Sequence, residues 1–169
     1  MDATELRALQ APLKARYRDD PGSATVTLRA SGELGDETIT CKVETGRALA
    51  EAGLHPATGG EGVALCSGDM LLEALVACAG VTLNSVATAF GIEIRSGQVE
   101  VEGDIDFRGT LGVDKAAPVG FRDIRLRFDL DTDATPDQLD KLLQLTERYC
   151  VVFQTLSRPP RLAVSHRVV

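Results

Sequence analysis

A chain of 169 residues with 44% apolar side chains is long enough for one domain with a substantial core, spanning residues 1–169, and needs no metal or disulfide to fold. A net charge of −7, from 18 basic and 25 acidic residues with no basic cluster, argues against nucleic acid and against an anionic membrane as partners. The opening run Met1-Asp2-Ala3-Thr4-Glu5 is acidic and lacks the apolar stretch of an export signal, so a cytoplasmic location is expected, with thiols kept reduced.

Taken in chain order, residues 1–12 predict an N-terminal arm or short helix that ends near Pro12, and Leu13 to Tyr17 a strand. Ala24 to Ala30 and Thr38 to Glu44 alternate apolar with polar residues, the period of half-buried strands, and Ser31 to Asp36 between them has turn chemistry. Together they predict an antiparallel meander. Arg47 to Ala52 predicts a short helix, followed by a glycine-rich loop to Leu65 of the length that often carries function.

Ser67 fits as an N-cap, with Asp69 in the first turn and Gly91 as the C-terminal stop, so a long helix is expected up to Phe90. Ala74 to Ile92 carries no charge, but Thr82, Asn84, Ser85 and two glycines make it a weak membrane span. Leu71, Leu75, Cys78 and Thr82 share one face, with Val76, Ala79, Leu83 and Val86 opposite, the pattern of a helix buried on every side.

Gln98 to Arg108 and Phe121 to Asp131 alternate strictly and predict two strands, with a polar loop from Gly109 to Gly120. Thr135, Pro136 and Gln138 form a capping box that starts a helix whose apolar stripe includes Leu139, Leu142, Leu143, Thr146, Cys150 and Phe153, and which stops before Pro159-Pro160. A last strand is expected over Arg161 to Val168, with Leu162, Val164, His166 and Val168 on one face. The order predicts an α+β domain, with antiparallel sheets around a long buried helix.

Few residues carry chemistry. The cysteines are Cys41, Cys66, Cys78 and Cys150, with no Cys-x-x-Cys pair, and the two histidines, His55 and His166, lie far apart, so neither a metal site nor a cofactor is expected. Cys41 reads as a structural strand residue, His55 as a solvated turn residue and His166 as a core or interface histidine. Asp129, Asp131 and Asp133 resemble the start of a calcium loop, but lack the glycine and distal glutamate it requires. A cysteine in an apolar helix stripe is ordinarily inert packing. Cys78 lies too deep in its helix to feel that helix's dipole, and burial alone raises a thiol pKa, so a reactive Cys78 calls for a cation from elsewhere. No basic residue lies between Arg47 and Arg95, which leaves Arg47, Arg18 and Arg16, with Arg47 preferred because it opens the segment leading to the helix. Cys66, just before the helix start, is a second candidate nucleophile.

The run Cys66-Ser67-Gly68-Asp69-Met70-Leu71-Leu72-Glu73-Ala74-Leu75-Val76-Ala77-Cys78, followed by Thr82-Leu83, resembles the central-helix motif of the OsmC/Ohr family of organic hydroperoxide reductases. Glu147-Arg148-Tyr149-Cys150-Val151-Val152 resembles that family's second cysteine motif, with Val151 in place of a proline, and His55 to Gly60 resembles the loop before the central helix. Gly68 stands where the family places a glutamate, with Asp69 and Glu73 nearby.

The resemblance implies the OsmC-like fold, an intertwined homodimer with its sites at the subunit interface. It also implies a thiol-dependent peroxidase. Cys78 would attack an organic hydroperoxide and become a sulfenic acid, Cys150 would resolve it as a disulfide, and a dithiol reductant of lipoyl type would restore both. The rival expectation is a redox-inactive OsmC-like protein that binds a small apolar ligand at the dimer interface.

Overall fold

The computed structural model describes residues 2–20, 31–34, 40–44 and 49–168. Helix α1 spans Ala3–Asp19. Asp2 caps it by accepting from the Thr4 and Glu5 amides at 2.7 and 2.8 Å, and Glu5 returns the bond to the Asp2 amide at 2.9 Å. The helix runs through Pro12, so the expected stop and the strand over Leu13 to Tyr17 are both corrected. Proline deletes one helical hydrogen bond, but the surrounding Ala, Leu, Lys and Arg are strong helix formers.

Strands β1 (Ser31–Leu34), β2 (Thr40–Glu44) and β3 (Leu49–Gly53) form an antiparallel meander, and the short β4 (Leu65–Cys66) joins β3 in parallel. A meander was expected, but from other residues. Ser31 to Leu34 is strand rather than turn, and Leu49 to Gly53 is strand rather than helix. Both stretches gain ladders against β2, which outweigh their local preferences. The expected strand over Ala24 to Ala30 lies outside the described residues.

Helix α2 spans Ser67–Phe90, and Gly91 ends it with φ 68°, accepting the left-handed conformation that closes the last turn. β5 (Ser96–Ile105) and β6 (Phe121–Asp131) form an antiparallel pair, with a one-turn helix α3 (Phe107–Thr110) in the loop between them. Helix α4 (Pro136–Tyr149) starts on the expected capping box at Thr135 and Gln138, and α5 (Val151–Ser157) follows after a break at Cys150.

Leu75, Ala79, Leu83, Val86 and Ala87 of α2 are buried in one stripe. The stripe meets two clusters, one around Leu142 of α4 and one around Cys150. By length and composition α2 could cross a membrane, but this packing is that of a core helix. Burial on every side does not hold within one chain, because Val81 is 72% exposed and Phe90 59%. Among the described residues the expected strand over Arg161 to Val168 does not form: these residues are exposed and pair with no described strand.

Candidate active site

The site is made by the break between α4 and α5. Leu142 and Thr146 fix the buried face of α4, and Cys150 follows on the same stripe, completely buried. Its amide still bonds the Thr146 carbonyl at 2.9 Å, but its backbone turns extended, with φ −71° and ψ 109°. The next two residues, Val151 and Val152, are β-branched, which weakens helix continuation at that point. Cys150 then serves α5 as its N-cap: its sulfur accepts from the Phe153 amide at 3.5 Å. The single continuous helix expected up to Pro159 is therefore corrected to two helices.

The break frees the first amides of α5, which have no partner within their own helix. They meet Cys78. Burial pushes the Cys78 thiol up, but hydrogen bonds from the Val152 amide, the Cys150 thiol, the Val151 amide and the Thr82 hydroxyl outweigh it and hold the thiol below its ordinary range. The Thr82 hydroxyl rests on the Cys78 carbonyl oxygen at 2.7 Å, beside the sulfur. Cys150 moves the other way. Burial raises it, the Phe153 amide lowers it, and donating its proton to Cys78 beside a developing negative charge raises it further. The two sulfurs thus form an unequal pair, with Cys78 the more acidic thiol and Cys150 the less acidic one.

The sequence offered only a cation for this task, and the amides of α5 are a further group that favours the charged form of Cys78. Its own helix gives nothing at that depth, but the start of a different helix does. The pair is packed by Leu75 and Ala79 of α2, Val99 and Val101 of β5, and Phe153 and Leu156 of α5. Leu75 and Phe153 also line a cleft of about 460 Å³ between β6 and the α4–α5 pair, which carries Arg122, Asp123 and Glu147 among its polar residues.

The other candidates are placed as follows. Arg47 lies outside the described residues, as do the side chains of Arg16 and Arg18 on α1. Cys66 is half-buried at the N-cap of α2, makes no capping bond, and is not among the groups acting on Cys78. Asp69 and Glu73 are exposed. Cys41 sits in β2, as expected of a strand residue.

His55 caps the 3-10 turn Pro56–Thr58 through its Nδ1, which accepts from the Ala57 amide at 3.0 Å, and its ring stacks on Phe107 at 4.9 Å. His166 is exposed in the single chain, so it is not a core histidine there. Asp131 and Asp133 both bind the Arg95 guanidinium, the strand-end and turn role expected of them. Among the described residues there is no cluster able to hold a metal ion. The residues that sequence reasoning passed over are Val151 and Val152, whose contribution comes from their amides. The signal was the β-branched pair directly after a helical cysteine, at the position where the related motif carries proline, the residue best suited to the first position of a new helix.

A two-layer α+β domain with a long core helix and a cysteine on each of two facing helical segments defines a class of thiol-bearing proteins. The model of the OsmC-like protein family matches residues 59–165, and the chain belongs to that family. No curated protein matches the sequence. Among solved structures, an OsmC-like protein from Mycoplasma pneumoniae is similar at 18% identity and a TM-score of 0.65, covering 79% of this chain and 89% of that one. An organic hydroperoxide resistance protein OsmC from Legionella pneumophila is similar at 14% identity and a TM-score of 0.62, covering 79% and 93%. An organic hydroperoxide resistance protein from Elizabethkingia anophelis is similar at 16% identity and a TM-score of 0.61, covering 80% and 90%. At these identities the likeness establishes the fold.

Proposed function

We propose that this chain is a thiol-dependent peroxidase that reduces small organic hydroperoxides in the cytoplasm, with Cys78 attacking and Cys150 resolving. The observation that carries the reading is the packing of Cys78 on the buried Cys150 at the start of α5, where the more accessible thiol is shifted down and the buried one up. Two of the similar folds belong to proteins named for organic hydroperoxide resistance, which agrees with it.

The chemistry balances without metal or cofactor. The Cys78 thiolate attacks the distal peroxide oxygen, the O–O bond breaks, and the alkoxide leaves to take a proton as the alcohol. Cys78 is then a sulfenic acid. The Cys150 sulfur attacks it, a Cys78–Cys150 disulfide forms, and water leaves with the Cys150 proton. An external dithiol, of lipoyl type in this reading, reduces the disulfide and restores both thiols. Arg47, outside the described residues, is the cation this reading places beside the Cys78 thiolate. The acidic surface fits partners that are neither nucleic acid nor membrane. The bare apolar face of α2, with Val81 and Phe90, supports an intertwined homodimer, since a surface of that kind is covered in an assembled protein.

The test is to treat Cys150→Ser with cumene hydroperoxide in the presence of dimedone. A dimedone adduct on Cys78 is expected. An adduct on Cys66 alone would move the nucleophile, and no adduct at all would favour the redox-inactive ligand-binding reading.

A further inference from the structure

A continuous helix through Cys150 would bond the amides of Val151, Val152 and Phe153 to the carbonyls of Glu147, Arg148 and Tyr149, each one turn back. The break between α4 and α5 removes these bonds. Backbone bonding stops with the Cys150 amide on the Thr146 carbonyl and resumes with the Gln154 amide on the Cys150 carbonyl, each at 2.9 Å. The Phe153 amide turns to the Cys150 sulfur at 3.5 Å, and the Val151 and Val152 amides are among the groups that favour the charged form of Cys78. The last carbonyls of α4 thereby lose their ordinary donors. One of them has a substitute. The side-chain Nε2 of Gln154 reaches back across the break, over seven residues, and donates to the Glu147 carbonyl at 2.8 Å.

This bond belongs to the broken arrangement alone. In a straight α-helix Glu147 and Gln154 stand two turns apart, about 10.5 Å along the axis, too far for a glutamine side chain to reach that carbonyl. The same carbonyl is the one that the Val151 amide would take if the helix ran on. Gln154 and Val151 therefore compete for one acceptor, and each outcome goes with a different shape of the backbone. With Gln154 bonded, the chain stays turned at Cys150 and the Val151 amide is free for Cys78. With Val151 bonded, the first turn of α5 is drawn onto the end of α4 and away from the sulfur. A contact made in only one of two shapes favours that shape by its own strength. The hydroxyls of Thr155 and Ser157 differ in this respect. They donate to the Val151 and Phe153 carbonyls at 2.8 Å, one turn back within α5, and such bonds fit either shape.

We propose that Gln154 is a positioning residue for the Cys78 site: its side-chain amide occupies the Glu147 carbonyl in place of the Val151 amide, and so holds the α4–α5 turn in the shape that leaves the first amides of α5 on Cys78. Its action runs through the backbone of α5 rather than through either sulfur. The role rests on the reading of Cys78 as the reacting sulfur, but it concerns the acidity of that thiol and not the fate of the peroxide.

The test compares Gln154→Met, which keeps the length of the side chain, removes the donor and changes no charge, with Thr155→Val, which deletes a hydroxyl bond made inside α5. Both are read in the full chain by the pH profile of Cys78 alkylation with iodoacetamide, resolved by peptide mapping, beside thermal unfolding. Gln154→Met is expected to move the profile to higher pH and to slow Cys78 alkylation at neutral pH about three- to tenfold, the effect of one hydrogen bond, with the melting temperature nearly unchanged. Thr155→Val is expected to leave the profile in place. An unmoved profile in Gln154→Met would overturn the role. An equal shift in both variants would trace the effect to a general loosening of α5 and overturn it as well. In amide NMR the Val151 resonance is expected to follow the titration of Cys78 in the unsubstituted chain and to lose that response in Gln154→Met. A Val151 amide blind to Cys78 in the unsubstituted chain would overturn the proposal with no variant needed. The two readings fail separately: the absence of a dimedone adduct on Cys78 removes the peroxide chemistry, whereas an unmoved alkylation profile removes only the role of Gln154.

Discussion

Helix α2 serves two neighbourhoods separated by about one turn, and they differ in kind. Around Leu83, Val86 and Ala87 it packs against Leu142, Leu139 and Leu143 of α4 with apolar side chains. Around Leu75, Cys78 and Ala79 it packs against the α4–α5 break, where Cys150 and the first amides of α5 bring polar groups to the same depth. The first region earns stability from close packing. The second gives up a stretch of continuous helix, and the amides released there act to lower the Cys78 thiol. The interruption in the fold thus brings the two sulfurs and the first amides of α5 to one place.

The contrast can be broken most drastically at the sulfur. Cys78→Ser is expected to bring hydroperoxide consumption to background while leaving the melting temperature nearly unchanged, as measured by a peroxide assay and thermal unfolding in parallel. Leu142→Ala should do the reverse. It removes a fully buried side chain from the aliphatic region, so a loss of about 2–5 kcal/mol is expected in denaturant unfolding, with the Cys78 alkylation rate unchanged under native conditions.

The pH dependence sharpens the difference between the two sulfurs. Cys78, held below its ordinary range, should alkylate with iodoacetamide at lower pH than a free cysteine, near 8.5, and Cys150 only above it. The linked stability follows the same signs. In the window between the lowered Cys78 value and the ordinary one the folded state binds fewer protons, so this contribution grows as pH rises and is lost as pH falls; Cys150 opposes it above the ordinary value. Coincident alkylation profiles for the two residues would remove the asymmetry. The smallest effect is expected at Thr82, the last of the groups favouring the thiolate. Thr82→Val should slow Cys78 alkylation at neutral pH about two- to fivefold, corresponding to part of one hydrogen bond of ~0.5–1.5 kcal/mol.

Much of this was legible in the residues. β6 matches the expected strand from Phe121 to Asp131, and the start of α4 and the stop at Gly91 follow from local capping chemistry; α2 instead takes Ser67 as its first residue, with Cys66 rather than Ser67 at the N-cap and no capping bond. The N-terminal third was harder to read. Ser31 to Leu34 and Leu49 to Gly53 become strands because β2 pairs with both, a long-range gain invisible to a local window. Both cysteines could be picked out, Cys150 with the help of a motif. The groups that lower the Cys78 thiol could not, because the chief donors are backbone amides, which every residue carries. Only the chain break at Cys150 aims them.

The most direct measurement of the central claim is peptide mapping of the wild-type protein after treatment with one equivalent of alkyl hydroperoxide and blocking of the remaining thiols. A disulfide-linked peptide pair containing Cys78 and Cys150, with Cys41 and Cys66 still free, is the expected result. Four blocked thiols, or a bridge that leaves out either Cys78 or Cys150, would contradict it.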